Sequence, residues 1–461
     1  MINEASAQLV LEAALSSGGD FAELYMEDCT SNSLSMVNGD VENATSARTT
    51  GAGVRVLSGT RSAYAYTADT SREALIGAAK AAAAALTGAA DIAVVPFRPA
   101  AYGKAPRIPY AEVDNARRIA KMREAHLAAK SYSEEISQAI VRLLDVDKEM
   151  FVCNTEGVWA SDRHPRMRLS VSAVASGAGG SQTGADSPGY ATGFEGFDRI
   201  DPAASGREAA RQAVTMLHAD ECPAGVMPVV IDGGFGGVIF HEACGHSLEA
   251  TSVSKGNSVF CGKLGQQIAA PCVSAVDDGT LEGEWGSLHI DDEGTPTRRN
   301  LLIENGILKG YLIDRLGGRR MGMEPTGSSR RQDYTYAPTS RMTNTFICAG
   351  QDDPDEMIRT MGDGIFAAYM GGGSVNPLTG EFNFAVREGY LVRDGRIVAP
   401  VRGATLIGRG ADVLMRIDRV GPRMWMAQGM CGSLSGSIPT NVGQPRIRVS
   451  QITVGGKGGA L

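Results

Sequence analysis

The sequence predicts an α+β protein, with small N-terminal α/β domains followed by a large antiparallel β-rich domain that carries one metal-binding helix. Three observations lead there. Turn dipeptides of the hairpin type (Asn38-Gly39, Asn305-Gly306 and Asp394-Gly395) sit between alternating apolar runs in both halves of the chain. Helical periodicity is confined to a few stretches, most of them before residue 220. Glycine is abundant at 58 residues while aromatics are sparse at 6%, a pairing suited to tight turns and close backbone approach. A chain of 461 residues exceeds one core, and three segments are expected, at 1–90, 91–224 and 225–461.

Residues 4–16 have helical spacing through Ala7, Leu11, Ala14 and Leu15 and end at Gly18-Gly19. Residues 21–27 alternate as a strand, 34–37 with Val41 flank the Asn38-Gly39 turn, and 53–57 with 62–66 form a second pair. Thr70, with Glu73 three residues on, reads as a capping box for an alanine-rich helix to about Leu86. Pro96, Pro99, Pro106 and Pro109 make 90–112 a linker. Asp114 caps a helix to about Ala129, and strands are expected at 136–144, 151–159 and 166–175. Residues 177–193, rich in Gly, Ser and Thr, read as an exposed excursion. Asp201-Pro202, a cap and a first-turn proline, opens a helix to about His218.

The third segment begins with a short buried strand at 229–231, which a glycine run, Asp232 to Gly237, turns into the helix V-I-F-H-E-A-C-G-H-S-L-E-A at 238–250. That run lacks the lysine and hydroxyl residue of a phosphate-binding loop, so its glycines are read as permitting close packing. Hairpins follow, with alternation at Phe382, Phe384 and Val386 and at Ile447 and Val449, as in an extensive antiparallel sheet or open barrel.

His241, Glu242 and His246 place two imidazoles and a carboxylate in one short apolar segment. Two imidazoles can hold zinc, and the carboxylate can take a proton from water. The histidines are five apart, which on a regular helix leaves the rings roughly 140° apart. Both can reach one ion only if the helix widens toward a π-turn, and Gly245 is where that distortion fits. Geometry leaves four candidates for a third ligand: Cys244, Glu249, His289 and Cys431.

Composition narrows the function classes. A net charge of −8 disfavours a nucleic-acid-binding surface. No apolar run is long enough for a membrane span. The first residues carry two acids and no basic head, and eight cysteines are scattered without a disulfide framework, so a cytoplasmic protein is expected. His126, His164 and His218 read as surface or core histidines. The acids Asp277-Asp278 and Asp291-Asp292-Glu293 read as turn-forming and solvated, and Arg319-Arg320 and Arg330-Arg331 as solvated faces.

The helix motif H-E-A-C-G-H-S-L-E-A resembles the metal-bearing, TldD-like members of the TldD/PmbA family of metallopeptidases. Further matches are I-D-D-E-G-T-P (290–296), E-N-G-I-L-K-G-Y (304–311), R-M-T-N (341–344), G-A-T-L-I-G (403–408) and C-G-S-L-S-G (431–436). The resemblance implies zinc (Zn2+) held by His241, His246 and Cys431, with Glu242 as general base and Cys244 a packed thiol. It also implies unfolded peptide substrates bound by strand addition in an enclosed cavity. The assembly would be a homodimer, or a heterodimer with a metal-less PmbA/TldE-like sister subunit. Tyr334, Tyr336 and Arg331 are the oxyanion donors to weigh. Two other classes compete: a peptide-binding module whose zinc is structural, and another zinc amide hydrolase, against which the five-residue spacing argues.

Overall fold

The computed structural model describes residues 2–376 and 379–459. Its first sheet is built from strands far longer than the sequence runs predict. Residues 21–27 and 34–37 belong to one strand, Phe21–Val37, which continues through the Asn38-Gly39 turn into Asp40–Ser58. The expected strands at 136–144 and 151–159 likewise fuse, into Ile136–Asn154, and Val158–Gly177 follows. Polar stretches such as 145–150 stay in the ladder because each is paired on both sides. In this sheet the order is Arg61–Thr67, Asp40–Ser58, Phe21–Val37, Ile136–Asn154, Val158–Gly177 and Arg98–Ala101. The pairing of 21–37 with 136–154 carries the sheet across residue 90.

Two helix pairs cover one face. Glu4–Leu15 and Arg72–Ala84 pack on Leu24, Val54 and Phe151, while Asn115–Lys130 and Pro202–Leu217 pack on Leu34, Val141 and Val171. The opposite face, at Tyr25, Met150 and Val152, meets Ile290 and Tyr334 of the third segment.

Local chemistry sets most element ends. Asp114 and Asp201 accept backbone N–H groups as helix caps. The alanine-rich helix is capped by Ser71, which accepts from Ala74, and not by Thr70 as the spacing predicts. Asn38, Asn305 and Asp394 adopt positive φ, each followed by a positive-φ glycine, as two-residue hairpin turns require. The expected excursion at 177–193 instead contains a strand, Gly180–Asp186, paired with Val158–Gly177. Here Gly184 lets the 202–217 helix lie against the strand, since a Cβ would sit 2.1 Å from the Ala209 carbonyl oxygen.

The third segment holds two larger sheets. In one, Gly364–Val375, Gly225–Ile231, Ile447–Gly455, Thr405–Arg409 and Glu381–Arg393 pair in a path that returns on itself, because 364–375 also pairs with 381–393. The other orders Arg299–Glu304, Ala275–Asp278, Asn344–Ile347, Gly436–Gln444 and Trp425–Ser433. Most pairs are antiparallel, but 229–231 runs parallel to 365–367 and 344–346 parallel to 441–443. Between the sheets lies one apolar core that contains Phe240, Ala243, Cys244 and Leu248 of the motif helix.

The charged clusters are corrected by burial. Asp277, Asp278, Asp291, Asp292 and Glu293 are all buried, as are Arg330 and Arg331. Asp291 accepts from the backbone of Glu293, Thr295 and Ser329, so it is turn-forming but not solvated. Long-range partners make that burial tolerable: Glu293 pairs with Arg55, and Arg331 with Glu23 at 2.8 Å. No described helix is long and apolar enough to cross a membrane.

Candidate metal centre

The approach to the motif is built from glycines. Gly233, Gly236 and Gly237 lie against the strands 425–433 and 436–444, and a Cβ on Gly237 would sit 2.5 Å from the Gly443 backbone. Only a residue without a side chain lets the segment start that close. Val238–Phe240 is one helical turn, and His241–Gly245 then winds as a π-helix. The five-residue spacing therefore coincides with the local widening it calls for. Gly245 adds a second reason, because a Cβ there would sit 2.2 Å from the Met342 sulfur.

The widened turn brings both imidazoles toward Cys431, on the strand Trp425–Ser433. His241 Nε2 lies 3.4 Å from Cys431 Sγ, and His246 Nε2 lies 3.2 Å from it. All three donor atoms fall within 4.8 Å of one another. Donors bound tetrahedrally to one zinc at ~2.0–2.3 Å stand about 3.3–3.7 Å apart, close to the two sulfur–nitrogen separations here, and the residue types suit the ion. Burial works against a thiolate at Cys431, but the His241 and His246 rings overcome it and bring its pKa down to about 4. Burial lowers the His246 pKa, but Glu249 and Cys431 outweigh it and hold the value well above 6.5.

Each remaining candidate has a distinct place. Glu249 is buried and faces His246 Nδ1 at 3.1 Å, so it orients that ring and leaves Nε2 for an ion. Cys244 is fully buried in the apolar core, where burial holds its thiol far above its ordinary pKa. His289 is bonded through Nδ1 to Asp162, which also holds His164 at 3.0 Å. His164 is thus a buried histidine with an acid partner two residues away, a pairing the alternation of its strand could have revealed. Glu242 projects from the π-turn with 28% of its side chain exposed, its carboxylate 3.7 Å from His246 Nε2. Water can therefore reach it beside the three donors.

Of the expected oxyanion donors, Arg331 is buried and donates to Glu23, to the Asp292 carbonyl and to the Tyr64 hydroxyl, with its guanidinium over the Tyr25 face. Tyr334 packs on Gly51 and Tyr66 of the N-terminal sheet. Tyr336 is only partly buried, with its backbone N–H donating to the Asp333 carbonyl. Sequence reasoning missed Arg341. Its side chain is fully buried and donates to the Cys431 carbonyl, to Ser435 Oγ at 3.0 Å and to the Gly436 carbonyl at 2.9 Å. The only sequence signal was its place at the head of R-M-T-N.

Family models described as PmbA/TldA metallopeptidase match the chain in three parts: domain 1 over 22–86, the central domain over 108–217, and the C-terminal domain over 224–456. A metalloprotease TldD homolog of Haemophilus influenzae is 36% identical over 452 residues, covering 95% of this chain and 93% of the relative. A zinc metalloprotease TldD homolog of Saccharolobus solfataricus is 30% identical, over 53% of this chain and 55% of its own. The crystal structure of TldE from Thermococcus kodakarensis shares the fold, with a TM-score of 0.77 at 17% identity, covering 97% of this chain and 99% of that one.

Proposed function

The chain belongs to the PmbA/TldD metallopeptidase family, and from that premise we propose a zinc-dependent peptidase that hydrolyses unfolded or flexible peptides within a dimer cavity. The observation that carries this reading is the convergence of His241, His246 and Cys431 beside a solvent-accessible Glu242. Three protein donors are the number found at catalytic zinc sites, whereas structural sites close with four.

Zinc bound there supplies Lewis-acid activation of water and of the scissile carbonyl. The chain's own residues do the rest. Glu242 takes the proton from the attacking water and hands it to the leaving amine, a role that suits a carboxylate open to solvent. Glu249 holds the His246 tautomer by accepting from Nδ1. The apolar core around Phe240, Ala243 and Leu248 keeps the π-turn rigid beneath these groups.

A homodimer, or a heterodimer with a metal-less sister, is proposed from the family and from the fold shared with a TldE. A cytoplasmic location is proposed because all eight cysteines are free. The test is digestion of an unstructured peptide with and without a zinc chelator, on wild type and on Glu242→Gln. Internal cleavage abolished by chelation and reduced about 10²–10⁴-fold by the substitution is expected. Full activity in Glu242→Gln with zinc bound would instead assign the ion a structural role.

A further inference from the structure

Arg341 is a charged side chain with no exposure to water, set between the Cys431 backbone and Glu249. Its guanidinium spans the turn that follows Cys431. Nη2 donates to the Cys431 carbonyl, and Nη1 donates to Ser435 Oγ and the Gly436 carbonyl. Thr339 Oγ1 donates to the same Ser435 oxygen at 3.0 Å. On its other side, Nε stands 3.9 Å from Glu249 Oε1, the carboxylate oxygen that faces His246 Nδ1. Cys431 and His246 are 185 residues apart in sequence. One planar group thus bridges the backbone of the first and the orienting carboxylate of the second.

The next residue of the same motif works on the π-turn itself. Met342 fills the space that the absent Cβ of Gly245 leaves, directly before His246. Thr343 and Asn344 anchor the segment from behind: the Thr343 hydroxyl donates to Asp277 and the Asn344 amide to the Asp278 carbonyl. The Asp277 carboxylate and the Asp278 carbonyl therefore fix the start of the strand Asn344–Ile347, which Arg341 and Met342 directly precede.

We infer that Arg341 is a positioning residue for the metal centre, setting the Cys431 sulfur and, through Glu249, the His246 ring in one geometry before an ion arrives. This rests on the zinc reading above. A fork of parallel N–H donors suits the task, because it meets several oxygens at once in fixed directions, and Glu249 supplies the compensating charge inside the protein. A lysine keeps the charge but has one nitrogen, which cannot meet the Cys431 carbonyl, Ser435 and Gly436 together.

The experiment compares zinc dissociation constants, by competition with a chromogenic chelator, for the full-length chain, Arg341→Lys, Glu249→Gln and the double variant. Arg118→Lys serves as the control for losing a buried guanidinium, since Arg118 is equally enclosed and paired with Asp145 in the N-terminal sheet. Arg341→Lys is expected to weaken zinc about 10–100-fold, as losing an orienting partner does, while Arg118→Lys leaves it unchanged. The double variant should lose less than the product of the single losses, because both act through one contact. Cobalt-substituted Arg341→Lys should show a shifted sulfur-to-metal charge-transfer band. If Arg341→Lys does not fold, Ser435→Ala replaces it, with a loss of about three- to tenfold expected. Unchanged zinc affinity and an unchanged cobalt spectrum in the folded variant overturn the assignment alone. A wild-type chain that binds no zinc overturns the metal reading and this one with it.

Discussion

Cys431 and Cys244 show how one residue type takes opposite roles. Cys244 shares the motif helix with the histidines, but the π-turn aims it into the apolar core, where nothing offsets burial of a thiolate. Cys431 faces two imidazoles, which together bring the thiolate within reach at neutral pH. Cys431→Ala is therefore expected to abolish tight zinc binding, and Cys244→Ala to keep it at a stability cost of about 1 kcal/mol. Zinc content after gel filtration, together with thermal melting, distinguishes the two. Sequence periodicity left four candidates for the third ligand, because it sees only neighbours along one helix. Cys431 comes near through the parallel pairing of 344–346 with 441–443 and the hairpin behind it, and neither leaves a local sequence signal.

At the scale of elements, the π-turn was legible in the chain because a five-residue spacing cannot put two rings on one α-helical face. The hairpin dipeptides were legible for a similar reason: Asn-Gly and Asp-Gly answer a backbone requirement that few residues meet. Strand length was not legible, since residues such as Asp145, Asp147 and Lys148 are polar yet laddered on both sides. Packing against the widened turn leads to a prediction. Gly245→Ala forces a methyl into the Met342 sulfur, and is expected to cost on the order of 1–3 kcal/mol and to weaken zinc binding. The companion Gly245→Ala/Met342→Ala restores room and should recover part of the affinity. Chemical denaturation of the metal-free chain, followed by zinc titration, checks both.

Across the whole molecule, the joint between the N-terminal sheet and the third segment is an ionic seam inside protein. Arg55 pairs with Glu293 and stands 4.0 Å from Asp314, while Arg331 pairs with Glu23 and lies over the Tyr25 ring. None of this was legible in sequence, because a buried acid and its arginine can sit 238 residues apart, as Glu293 and Arg55 do. Acids outnumber guanidiniums in the seam. Burial first, and then repulsion from Glu293, raise Asp314 to about 6 against the attraction of Arg55, and Glu23 is also raised by burial. A folded-state pKa above the unfolded 3.8 means the folded chain keeps a proton the unfolded chain has lost. Stability from this group is thus greatest below pH ~4 and declines as pH rises through about 6. Asp314 also caps the helix Arg315–Met321 by accepting from Gly317, a task asparagine performs equally well. Asp314→Asn should therefore melt higher than wild type at pH 8, by on the order of 2 °C, with a flatter profile between pH 4 and 7. Differential scanning calorimetry across that range checks it; a lower melting point at pH 8 would show that the Arg55–Asp314 attraction outweighs the crowding of acids.

The central claim is that one zinc ion sits between the π-turn and the strand that carries Cys431. X-ray absorption at the zinc edge on the purified, zinc-loaded chain tests it most directly. The predicted result is one ion per chain with a single sulfur at about 2.3 Å and nitrogen donors at about 2.0–2.1 Å, the sulfur shell persisting in Cys244→Ala while Cys431→Ala retains no tightly bound zinc. A zinc shell without sulfur, or one whose sulfur survives Cys431→Ala, would contradict it.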